Sequence, residues 1–127
     1  MQRGILADTT KPPFDRLRDL VHAFLRSECD EAAVRIALGD AAPLYRDAPE
    51  AKTARASAAR AFRAFMREAL PAATSTELTL AGDLIMTTLS MVGKRFSEKP
   101  RTPAAIKTYA DSMADMFVAY LKIVGRG

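Results

Sequence analysis

Between Leu80 and Phe96 the chain reads LAGDLIMTTLSMVGKRF, a segment that can be a helix only if it is covered on two sides. Wound at 3.6 residues per turn, the helix confines Thr79, Asp83, Ser90 and Lys94 to one narrow polar strip and leaves most of its girth apolar. Two apolar stripes separate on projection. Leu80, Leu84 and Met91 form one, and Ala81, Ile85, Leu89, Val92 and Phe96 form another about 100° away. One stripe can face the chain's own core, and the other requires a second partner. Asp83 interrupts the segment and Lys94-Arg95 closes it, so it falls short of the roughly 20 consecutive apolar residues of a membrane span, and no membrane partner is expected.

Other helices must supply the cover, and the chain has few to offer. At 127 residues, 49% hydrophobic and 27% charged, it has the size and texture of one globular domain with a single core. Phe14, Leu17, Leu20, Val21, Phe24 and Leu25 carry the i, i+3, i+4, i+7 spacing of a one-sided amphipathic helix over Phe14 to Glu28, with an apolar arc about 140° wide. Asp30 is suited to cap a second, shorter helix from Glu31 to Leu38, with Gly39 as its stop. An irregular joint, GDAAPLYRDAP, holds at most a turn near Leu44-Tyr45. Alanine then dominates a third helix from Glu50 to Leu70, which Pro71 ends. Thr/Ser capping residues in ATSTE precede a fourth from about Thr76 to Phe96, although Gly93 offers an earlier stop. Thr102-Pro103 opens a fifth that runs to about Val124. The alternation and tight-turn dipeptides of β-hairpins are missing, so the expected fold is all-α, with about five main helices.

The fifth helix repeats the feature of the fourth. Ile106, Met113, Phe117 and Val124 lie in one row and Tyr109, Met116, Tyr120 and Ile123 in the next, with Lys107, Asp111, Asp115 and Lys122 in the remaining strip. A chain this small cannot cover both wide arcs by itself. The pattern therefore predicts a homodimer in which the last two helices pair with their two-fold copies as a four-helix bundle, through Leu80, Leu84, Met91, Met113, Met116, Phe117 and Tyr120.

Chemistry-bearing residues are sparse. Cys29 and His22 are single, which excludes an internal disulfide and leaves no metal-ligand spacing, so neither metal nor cofactor is expected. Seven residues apart on one helix, they are separated by about 10 Å of rise, too far for a hydrogen-bonded nucleophile and base, and no enzyme activity is expected. The N-terminal stretch MQRGILADTTKPPF has no apolar run of signal-peptide length, and a cytoplasmic location is expected. Lys52, Arg60, Arg63 and Arg67 form a basic stripe on the third helix, of the kind usual on a solvated face.

The helix opening FDRLRDLVHAFLRSE and the helix endings FRAFMREALP and MADMFVAYLKIVG, in this order, resemble the C-terminal, ligand-sensing domain of tetracycline-repressor-type (TetR family) transcriptional regulators. The resemblance covers nearly the whole chain and is one of architecture. It implies a domain over residues 13–127 that binds an effector and dimerises, in a repressor, with residues 1–12 as a leader or the remnant of a connecting helix. It also implies that the last two helices make the dimer bundle, as their stripes require independently. A sensor cavity would lie between the first and third helices and the inner face of the fourth. Facing it would be Leu17, Val21, Phe24, Phe62, Phe65, Met66, Met86 and Leu89, with His22 at the edge, and phenylalanine and methionine walls suit a small apolar molecule.

Two other classes share this outline. A phosphorelay module is also a small helical bundle with one histidine, but HAFLRSE lacks the lysine and glycine that follow that histidine. A purely structural helical dimerisation module needs no cavity at all. The family's helix-turn-helix is not represented in these residues, and a net charge of +4 is spread along the chain. The chain by itself is therefore expected to bind DNA only weakly and without sequence preference. Titration in rising salt checks this, since such affinity should vanish by physiological ionic strength.

Overall fold

The computed structural model describes residues 5–6, 8, 10–38 and 49–126, and among them it contains helices and no strand. Four long helices run in order: α1, Pro13–Leu38; α2, Pro49–Ala69; α3, Ser75–Phe96; and α4, Pro103–Arg126. Four therefore replace the five expected, because the first two predicted helices are one. Asp30 caps nothing: it is an exposed residue inside α1. The stretch Ser27 to Glu31 contains weak helix formers but neither glycine nor proline, so nothing breaks the hydrogen-bond ladder. The apolar register also carries through, since Leu25, Cys29 and Ala32 continue at i, i+4 and i+7, with Leu25 and Ala32 buried. The Gly39 stop and the Leu44-Tyr45 turn lie outside the described residues.

The start signals of the later helices act as the sequence suggests. Thr74 accepts a hydrogen bond from the Glu77 backbone N–H at 3.1 Å, while the Glu77 carboxylate accepts one from the Thr74 N–H at 2.8 Å. This reciprocal box satisfies two donors that the first turn of α3 would leave unpaired. At α4, Pro103 takes the first helical position and Thr102 Oγ1 accepts from Ala105 N–H at 3.1 Å.

α1 is the central helix and touches each of the other three. Its longest seam is with α4, and three side-chain pairs mark the direction of that seam. Lys122 lies over the Phe14 ring, Arg18 bonds Asp115, and His22 bonds Asp111. Numbers rise along α1 as they fall along α4, so the two helices run antiparallel. Between these polar flanks lies one apolar core that includes Leu17, Leu20, Val21 and Leu25 of α1 and Ala110, Met113, Ala114, Phe117, Val118 and Leu121 of α4. Phe62, Phe65 and Met66 enter it from α2, and Ala81, Ile85 and Leu89 from α3.

Gly93 does not end α3; it lets α1 approach. A Cβ placed there would stand 3.0 Å from Cε1 of Phe24 and 3.4 Å from Cγ of Glu28. The helix accepts the low propensity of glycine at a buried position because the Phe24 ring occupies that space. Gly93→Val is expected to lower unfolding stability by about 1–3 kcal/mol in urea titrations, through overpacking against Phe24. Gly93→Ala should cost less, because about 1 kcal/mol of helix propensity is recovered.

Candidate functional site

Three features stand out on this frame: an exposed apolar face, a cleft at one end of the α1–α4 seam, and a buried arginine at the other.

The face is made by α3 and α4. Leu80, Leu84 and Met91 are 62, 49 and 68% exposed, and Tyr109, Met116 and Ile123 are 41, 53 and 64% exposed. Each triplet falls within about 40° of one helix face. The second stripe of α3 is buried, with Ala81, Ile85, Leu89 and Phe96 in the core and Val92 packed against it. On α4 the division differs from the sequence assignment. Met113 and Phe117, placed in the interface from the pattern, are 5 and 4% exposed and belong to the subunit's own core. They sit about 40° and 80° around the helix from Tyr109, which turns them toward α1. Tyr120 is half-buried between the two regions. Tyr109 and Ile123, seven residues either side of Met116, complete the exposed row instead.

The residues assigned to a sensor cavity are brought together, as a packed core. Leu17, Val21 and Leu89 are fully buried, and Phe62, Phe65 and Met66 are nearly so, with the two phenylalanine rings 5.8 Å apart at 42°. Phe24 and Met86 are half-buried against that cluster. His22 is elsewhere. It points to α4, where its Nε2 lies 2.7 Å from Oδ1 of Asp111. Lys107 Nζ meets the other oxygen of Asp111 at 3.0 Å, and these two partners, Lys107 first, hold the Asp111 carboxyl below the usual aspartate range. Engagement of Nε2 is the opposite of what a phosphate-accepting histidine requires.

The open space lies beyond that pair. A cleft of about 670 Å³ is bounded by α1 from His22 to Ala33, by the α3–α4 turn from Ser97 to Arg101, and by the first turns of α4. It arises because α1 overruns the N-terminal end of α4. Of the nine residues proposed to line a cavity, His22 is the one that borders it. Cys29 also lies in its wall, and burial pushes the thiol's pKa up, so the thiolate that a nucleophile needs is disfavoured. The turn SEKPRTP reads in sequence only as a helix stop. Ser97 and Arg101 build it: Ser97 Oγ donates to Lys94 O at 2.8 Å, and Arg101 Nε donates to Phe96 O at 2.8 Å with its guanidinium 4.2 Å over the Phe96 ring. The other side of this corner is a Phe96–Tyr109 ring stack with centroids 4.3 Å apart.

At the opposite end Arg16 is 2% exposed. Its Nη1 and Nη2 reach the two oxygens of Glu68 at 3.0 and 2.6 Å, Nη1 also donates to Leu6 O at 2.7 Å, and Nε donates to Lys11 O at 3.0 Å. One guanidinium thus ties the segment before α1 to the end of α2. The sequence carries only a trace of this, because Arg16 falls one turn before Leu20, about 40° outside the edge of the apolar arc.

The sequence has a match among known families. A model described as tetracyclin repressor-like, C-terminal domain, matches residues 12–124. The chain belongs to that family. Domains of this family are regulatory, and the match takes in α1, α2, α3 and α4 as far as residue 124. A comparison with curated proteins finds no significant match. None of the four helices is long and apolar enough to cross a membrane.

Hydrogen bonding to Arg16 is the main reason that the Glu68 carboxyl sits below the ordinary glutamate value in the folded chain. A depressed folded value means that the pair contributes stability above the unfolded glutamate pKa and loses it as pH falls through the folded one. Glu68→Gln should lower the melting temperature at neutral pH and flatten the acid limb of the stability curve relative to the wild type. Thermal melts across that limb measure both effects.

Proposed function

We propose that the chain is the effector-binding and dimerisation domain of a transcriptional regulator, working as a homodimer in a cytoplasmic repressor. The observation that supports it most is the exposed face of Leu80, Leu84, Met91, Tyr109, Met116 and Ile123, six large apolar side chains on two adjacent helices. Single exposed apolar residues are ordinary on a soluble protein, whereas a contiguous set on one side is characteristic of an interface. An isologous pairing of the two helices with their copies covers both rows at once. DNA recognition is not a property of these 127 residues in this proposal, and the modest, dispersed charge agrees with that.

The effector is a small molecule with an apolar body. Placing it among Leu17, Val21, Phe62, Phe65, Met66 and Leu89 requires side chains now in close contact to part, with Phe24 and Met86 as the half-buried edge that moves. The cleft beside His22 and Cys29 already has room, since about 670 Å³ lies within the range of small-molecule sites. Either position lies against α1, which also reaches α2 and α4, so a bound effector can bias the relation between the dimer helices and the Arg16–Glu68 tie.

Leu84→Arg and Met116→Glu place charges on the exposed face without entering the core. Both are expected to leave helicity and melting cooperativity nearly unchanged while converting a dimer to a monomer in sedimentation at micromolar concentration. A monomeric wild type under the same conditions would overturn the proposal.

A further inference from the structure

The cleft at the end of the α1–α4 seam contains cations that the fold does not consume. Arg26 and Lys99 line it and, among the described residues, have no ion-pair partner. Arg101 lines it too, and half of its guanidinium is committed: Nε is bonded to Phe96 O and the plane lies over the Phe96 ring. Its two terminal nitrogens have no hydrogen-bond partner among the described residues. An arginine fixed along one edge and open along the other is a preorganised fork for a planar anion. Asp30 and Glu98 stand in the wall as well, and Lys107 is spent on Asp111, so the wall keeps a net positive charge without being uniformly basic.

Away from these groups the surface is apolar. Ala32 is buried, Ile106 is half-buried against the core, and Pro103 adds a rigid ring at the start of α4. A ligand that satisfies both halves must have one charged end and a short hydrophobic body. We propose that the cleft is a binding site for a small carboxylic acid in its anionic form, its carboxylate on Arg101 with Arg26 and Lys99 near by, and its apolar body on Ala32, Pro103 and Ile106. This names the ligand class of the effector cleft and rests on the reading above for its regulatory meaning, whereas binding itself takes place within one subunit.

Cys29 makes the site readable, because it is the chain's one cysteine and lies in the wall. The experiment follows its alkylation by a maleimide at mildly alkaline pH, with affinity from calorimetry, for three probes: octanoate, 1-octanol and acetate. Octanoate should protect Cys29 and bind, whereas 1-octanol, which lacks the charge, and acetate, which lacks the body, should do neither at equal concentration. The double variant Arg26→Gln, Lys99→Gln changes only exposed side chains and should weaken octanoate by at least about tenfold, the scale of a lost charge-assisted hydrogen bond. Arg101→Lys, which keeps charge but loses the fork, should also weaken it. Protection by 1-octanol equal to that by octanoate, unprotected Cys29 at millimolar octanoate, or undiminished binding by the double variant each overturns the inference. Sedimentation of the same samples keeps the two readings apart: a dimer without protection removes the carboxylate site alone, and a monomer with protection removes the dimer alone.

Discussion

The antiparallel seam between α1 and α4 is the constraint on which the rest of the molecule depends. Its interior is aliphatic and aromatic, and its flanks are pinned by Lys122 over Phe14, Arg18 with Asp115, and His22 with Asp111. Exposed pairs of this kind add little stability, with a usual range of about 0–1 kcal/mol each. Their effect is on register, because sliding the helices by a turn would separate all three at once. The apolar interior supplies the energy and the polar flanks select one alignment.

That alignment decides what is left uncovered. The inward face of α1 is used on α4, α3 and α2 together, and no helix among the described residues remains for the outer sides of α3 and α4. A monomer built this way exposes six large apolar side chains in two neighbouring rows. Membership of a family of regulatory C-terminal domains and the exposed face therefore meet in one physical statement: among the described residues, one side of α3 and α4 lacks cover. The close approach at Gly93 belongs to the same economy of space, since it lets α3 settle on Phe24 while its other side turns outward.

Both ends of the seam become special for geometric reasons. At one end α1 extends past the start of α4, and the α3–α4 turn, with Arg101 held on Phe96, closes the gap into a cleft. At the other end the segment before α1 folds back far enough for the Leu6 and Lys11 carbonyls to share Arg16 with Glu68. A guanidinium that is 2% exposed and makes four hydrogen bonds leaves little freedom to the pieces it joins.

Much of the architecture is determined by the sequence alone. Helical periodicity, the Thr74 box, the Thr102-Pro103 start and the double-faced character of the last two helices are local properties, set by which residues recur every three or four positions. A single row is harder to read. Met113 and Phe117 differ from Met116 only by a fraction of a turn, and it is the position of α1 that makes the first two core and leaves the third outside. The continuity of α1 through Asp30 was likewise decided by packing that overrides weak propensity. His22 with Asp111, Arg16 with Glu68 and the walls of the cleft join residues far apart in the chain. Only the tertiary structure decides such pairs, because periodicity fixes where a side chain points around its own axis but not which distant helix it meets.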